Sequence, residues 1–107
     1  MTELRLVELR SGDRIVVRTR SSTYSIDVID APARVVSVSG GTLLAPRLAH
    51  LIGRLEPLRY EEASIAVGSS IAYTYMDRSR SSGLLHTETS EVSSIELHSV
   101  LGRPARF

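Results

Sequence analysis

Between Gly12 and Asp30 the chain reads GDRIVVRTRSSTYSIDVID, and two alternating runs within it restrict the fold more than any other feature. Ile15, Val17 and Thr19 alternate with Arg14, Val16, Arg18 and Arg20. After Ser21-Ser22, Tyr24, Ile26 and Val28 alternate with Ser25 and Asp27. Successive side chains on a strand point to opposite faces, so a period of two marks a strand with one dry face. A turn centred on Ser21-Ser22 sets Arg20 opposite Thr23, Thr19 opposite Tyr24, Val17 opposite Ile26 and Ile15 opposite Val28. A loop longer by two residues keeps the same parity, whereas a slip by one residue separates the two apolar sets. The expectation is an antiparallel hairpin lying on a core, with its arginines in water.

The remaining chain is punctuated in the same way. Leu4, Leu6 and Leu9 suggest a short entry strand before a Ser11-Gly12-Asp13 turn. Asp30-Ala31-Pro32 ends the hairpin, because proline fixes φ and cannot donate to a ladder. Residues 35–39 form a third strand, stopped by Gly40-Gly41. Over 43–55 the period changes: Leu44, Leu48, Leu51, Ile52 and Leu55 fall at helical spacing, Pro46 suits a first turn, and Pro57 ends the pattern. That spacing predicts a short helix whose leucine stripe docks on the sheet or on a partner, since so short a helix is marginal alone. Strands follow over 63–67, 71–76, 84–89 and 95–100, with a polar loop at 77–83, a tight or 3₁₀ turn at 90–94 and a frayed tail over 102–107. The expected fold is all-β and mainly antiparallel with one short helix: a single domain over 1–101, built as a small SH3-like β-barrel or sandwich.

Composition removes several kinds of chemistry. There is no cysteine, so disulfides, thiolate metal sites and cysteine catalysis are excluded. Lysine, asparagine, glutamine and tryptophan are absent too, while arginine occurs 13 times and serine 16 times. That bias points to a GC-rich bacterial genome, and it means that every surface cation other than histidine is an arginine. A formal net charge of +1 is unlike that of an electrostatic nucleic-acid binder. No apolar run approaches the ~20 residues of a spanning helix, and MTELRLVELR carries charges where a signal peptide is apolar. A cytoplasmic location without membrane contact is expected.

Gly12-Asp13-Arg14-Ile15-Val16-Val17-Arg18-Thr19-Arg20-Ser21-Ser22-Thr23-Tyr24, followed by Val36-Ser37-Val38-Ser39-Gly40-Gly41, resembles small bacterial proteins of unknown function. Those share a GD…RTR-x-S-x-Y core and a later Gly-Gly turn, and Thr89-Ser90-Glu91-Val92-Ser93-Ser94-Ile95 is similar to their endings. The resemblance implies a small all-β domain and transfers no site.

Four sets of residues carry candidate chemistry. Arg14, Arg18 and Arg20 form an outward row beside Thr23 and Ser25, and guanidinium forks on a rigid strand pair suit phosphate or carboxylate. The plainer reading is a solvated face with Asp27 and Asp13 as partners. Tyr73 and Tyr75 share one side of a strand with Ile71: facing out they form a stacking platform for unpaired bases, facing in they are core. Duplex reading is handicapped, since adenine is usually read by Asn or Gln. His50, His86 and His98 include no closely spaced pair, so no metal or cofactor is expected, although two adjacent strands could join His86 and Glu88 to His98 and Glu96. No nucleophile elbow, phosphate loop or compact Ser/His/Asp set is present, and Asp27 with Asp30 reads as turn chemistry.

The leading expectation is therefore a non-enzymatic binding or assembly module that engages a protein partner or itself, with Leu44, Leu48, Leu51, Ile52 and Leu55 as its docking stripe. The alternatives are a nucleic-acid-binding barrel using Arg14, Arg18, Arg20, Tyr73 and Tyr75, and a small ligand-binding or enzymatic barrel. The last would show a concave pocket holding a histidine and a carboxylate within hydrogen-bond reach.

Overall fold

The structure is a computed structural model and describes residues 1–41, 43, 45–55, 60–62, 64–76 and 84–99. The expected loop at 77–83, the tail at 102–107 and Leu44 lie outside the described residues. In chain order the elements are β1 (Glu3–Arg5), a 3₁₀ turn (Leu6–Glu8), β2 (Arg14–Thr19), β3 (Thr23–Asp30), β4 (Val35–Gly40), β5 (Arg47–Leu55), β6 (Tyr60–Glu61), β7 (Ser64–Ala66), β8 (Ile71–Met76), β9 (Leu84–Glu88) and β10 (Val92–His98). All pairings are antiparallel. The large sheet runs β10-β2-β3-β4-β5-β8-β9 with β6 beside β5, and β1 and β7 form a second sheet.

The β2–β3 hairpin has the expected faces and a different register. Arg18 lies opposite Thr23, Val17 opposite Tyr24 and Ile15 opposite Ile26, two residues away from the pairing that a Ser21-Ser22 turn requires. The loop is longer: the Thr19 N–H donates to the Ser22 carbonyl (2.8 Å), and the Ser22 N–H donates to Thr19 Oγ1 (3.1 Å). Parity survives a two-residue shift, so Ile15, Val17, Ile26 and Val28 still share the buried side. Each such side chain removed from water contributes about 1.5–3 kcal/mol. At the far end Asp13 is buried and accepts the Arg10 N–H (2.9 Å), which fixes the entry turn.

The expected helix over 43–55 does not form. Residues 47–55 are β5, and the one helical turn among the described residues is the 3₁₀ turn Leu6–Glu8. On β5 the inward residues opposite β8 are Ala49, facing Tyr75, and Leu51, facing Tyr73. A bulge between Leu51 and Gly53 then inserts one residue. No 3₁₀ turn precedes the last strand, which begins at Val92 with a bulge before Ser94.

The sheet is strongly curled. Laid flat, its outer strands β10 and β9 would stand about 29 Å apart at ~4.8 Å per strand. The link from Glu88 to Val92 can span only about 14 Å. The two ends must therefore bend toward each other, yet β9 and β10 do not pair among the described residues, so the curl is not a closed barrel. The turn after β7 bridges at that point: the Gly68 N–H donates to the Val92 carbonyl (2.9 Å), and the Val92 N–H donates to the Ser69 carbonyl (3.0 Å). The β1/β7 pair is tied to both sides of the trough. The Met1 ammonium donates to the Ile95 carbonyl (3.4 Å), and Glu3 meets Arg54 of β5 at 3.8 Å. Leu4 and Ile65 thereby join one core with Ile15, Val17, Val36, Val38, Leu51, Ile71 and Ile95. Among the described residues no helix is long and apolar enough to cross a membrane.

Candidate functional site

Antiparallel register places the polar candidates on the outer face of the sheet in transverse rows. One row reads His98, Arg14, Asp27, Ser37 and Leu48 across β10, β2, β3, β4 and β5. Arg14 is committed within it. Its Nε and Nη2 donate to the two carboxylate oxygens of Asp27 at 2.7 and 3.3 Å, and that partner raises the guanidinium pKa, first by hydrogen bonding and then by charge. Arg18 lies four residues along on the same face, with no side-chain partner among the described residues. Arg20 belongs to a different place: it lines a second concavity, of about 360 Å³, with Val67, Gly68, Glu91, Val92 and Ser93. The three arginines do not converge on one anion site.

Tyr73 and Tyr75 face inward, 4% and 5% exposed. Their rings meet edge to face at 5.1 Å and their hydroxyls hydrogen-bond at 3.1 Å. Burial, and then the Tyr75 hydroxyl, push the Tyr73 pKa up. The Arg47 guanidinium lies 4.2 Å from the centre of the Tyr75 ring, a cation–π contact that closes this end of the core. The rings present no outward platform for bases.

The leucine set is split by β5. Leu51 is buried in the core, Ile52 and Leu55 are half-buried, and Leu48 is 50% exposed on the outer face. Ile29, bulged out of β3 beside Val35 and Val36, is 53% exposed. Of the histidines, His98 sits 3.3 Å from Glu96 on its own strand. His86 lies on β9, which is not a ladder neighbour of β10, so the set of His86, Glu88, His98 and Glu96 is not assembled by adjacent strands. Asp30 Oδ1 accepts the Ala33 N–H (3.2 Å), a turn contact, and Asp27 is held by Arg14.

A concavity of about 530 Å³ opens beside that Asp30 turn, lined by Pro32, Ala33, Arg34, His50, Leu51, Ile52 and Glu62. Arg34 has a φ of 58°, a left-handed conformation that side chains with a Cβ resist. Its N–H donates to the Ala31 carbonyl (3.1 Å), and its carbonyl accepts the Leu51 N–H (2.9 Å), so the turn is pinned against β5. Its Nη1 donates to the Glu62 carbonyl. His50 and Glu62 therefore share one wall, although no hydrogen bond joins them among the described residues. Arg34 was not foreshadowed by any motif. The available signal was an arginine four residues after Asp30 in a turn that offers neither glycine nor asparagine for a left-handed position.

Comparison with family models, with curated proteins and with solved structures found no match to this chain.

Proposed function

We propose that the chain is a non-enzymatic binding module that engages a protein partner, or a second copy of itself, through the outer face of β3, β4 and β5. The supporting observation is apolar surface where a sheet meets water. Leu48 and Ile29 are half-exposed, and half-buried Val35 and Ile52 lie on the same strands. Single apolar side chains on a surface need no explanation, but several grouped on adjacent strands mark a contact region. The charged part of the Leu48 row, His98, Arg14 and Asp27, would form a polar rim. The curled sheet is read as an open relative of SH3-like small barrels, with the cytoplasm as its setting; that comparison concerns shape only.

Sedimentation velocity and co-purification from the native host, with wild-type protein and the double substitution Ile29→Asp and Leu48→Asp, test this reading. Loss of association or of a co-purified protein in the double variant, with unchanged circular dichroism, supports it. Identical behaviour of the two proteins in both assays would sink it.

A further inference from the structure

We propose that the concavity beside the Asp30 turn binds a small organic carboxylate with a compact apolar body, its carboxylate held by Arg34 and His50. This goes beyond the docking face on β3–β5 and concerns a different ligand.

The polar end of the site is built from a pinned backbone. Two main-chain hydrogen bonds fix Arg34, one within its turn (3.1 Å) and one to Leu51 of β5 (2.9 Å). His50 precedes Leu51, and antiparallel register sets it opposite Val35, the residue after Arg34. The β4–β5 ladder thus places the imidazole, and the pinned turn residue immediately before β4 places the cation. The guanidinium makes one hydrogen bond, to the Glu62 carbonyl, and its other N–H groups have no partner among the described residues. A planar fork with free donors matches the two oxygens of a carboxylate.

The apolar side chains that remain for the wall are Pro32, Ala33 and half-buried Ile52, since Leu51 turns its side chain into the core. A volume of about 530 Å³ lies within the usual range of roughly 300–1,000 Å³ for small-molecule sites. Glu62 sets the charge limit. An acidic lining residue, joined to Arg34 through its main-chain carbonyl, leaves room for a monoanion at Arg34 and disfavours a dianion such as phosphate. The left-handed φ of 58° adds an independent pointer, since glycine adopts that conformation freely and arginine does not.

The test is a titration of ¹⁵N-labelled protein followed by amide chemical shifts, with isovalerate, acetate and inorganic phosphate as separate probes. Isovalerate should give saturable shifts at Arg34 and at His50 to Ile52, with a millimolar Kd. Acetate, lacking the apolar body, should bind at least about fivefold more weakly, and phosphate more weakly than isovalerate. Arg34→Gly removes the guanidinium while suiting the left-handed backbone, so its spectrum should show an intact fold and no saturable response. Should Arg34→Gly disturb the fold, His50→Ala serves instead and should weaken isovalerate several-fold. Three results would overturn the proposal: no saturable shift at tens of millimolar, unchanged binding in the folded variant, or phosphate binding as tightly as isovalerate. Neither Ile29 nor Leu48, the positions substituted to test the docking face, lines this concavity, so a double variant that no longer associates and still binds isovalerate separates the two readings.

Discussion

The β2–β3 hairpin and β5 are neighbouring parts of one sheet, yet their side chains meet the core in different ways. On β2 the inward residues are Ile15 and Val17 and the outward ones include Arg14 and Arg18, so size and polarity both alternate. On β5 the inward pair is Ala49 and Leu51, while a large apolar residue, Leu48, points to water. The small inward side chain has a large opposite neighbour: Ala49 faces buried Tyr75 across the ladder. On β5 polarity alone does not report the inward face, because apolar side chains stand on both sides of the strand.

That contrast predicts unequal costs of truncation, and the largest belongs to the hairpin. Ile15 is fully buried, so Ile15→Ala removes apolar contact and leaves a cavity, for an expected loss of about 4 kcal/mol. Chemical denaturation at unchanged m-value measures it. A loss below about 1 kcal/mol would mean that the hairpin's dry face is not the centre of the core.

Gly40→Ala should rank next, at about 3 kcal/mol, combining left-handed strain with overpacking. Gly40 has a φ of 104°, and an added Cβ would stand 2.2 Å from the Thr23 carbonyl oxygen. This substitution tests the end of β4 against the start of β3, where the ladder leaves no room for side-chain adjustment. Near-normal stability would contradict the close approach.

How much of this was legible follows from the same contrast. Alternation exposed the hairpin faces and the strands over 71–76 and 84–89, the latter ending one residue earlier at Glu88, and Gly, Asp and Pro exposed the turns at Asp13 and Asp30, because each rests on neighbouring residues. The hairpin register depended on the Thr19 side chain closing a longer loop, which no residue pattern announces. Leu48, Leu51, Ile52 and Leu55 mimic a helical period because apolar Leu48 stands on the outer face three residues before inward Leu51, and the bulge after Leu51 shifts the positions that follow. The concavity was invisible for a different reason: Arg34, His50 and Glu62 lie far apart in the chain and meet only through the β4–β5 ladder and the turn beside it.

The aromatic pair sharpens the comparison from the β8 side. Tyr73→Phe leaves the buried Tyr75 hydroxyl without its partner and should cost about 1–2 kcal/mol at neutral pH. Because the folded-state pKa of Tyr73 is raised above its ordinary value of 10.0, its contribution is fully present below that pH. Above it the unfolded chain ionises first, and the contribution falls as pH rises. The stability gap between wild type and Tyr73→Phe should accordingly narrow above pH 10.0. A gap that widens there would contradict the buried, neutral state of the Tyr73 hydroxyl.

Leu48→Asp carries the smallest expected effect on stability, and it decides what β5 presents to solvent. At 50% exposure, with Ser37 as its neighbour on β4, Leu48 has little buried area to lose. Aspartate is a poor strand former, which sets the expected cost at no more than about 1 kcal/mol. A leucine docked in a helical stripe would instead cost several times as much, since a charge would enter an apolar contact. Thermal unfolding at low protein concentration separates the two outcomes, because dilution removes any stabilisation that association through this face supplies. A large loss under dilution would place Leu48 inside the protein and remove the apolar surface on which the docking proposal stands.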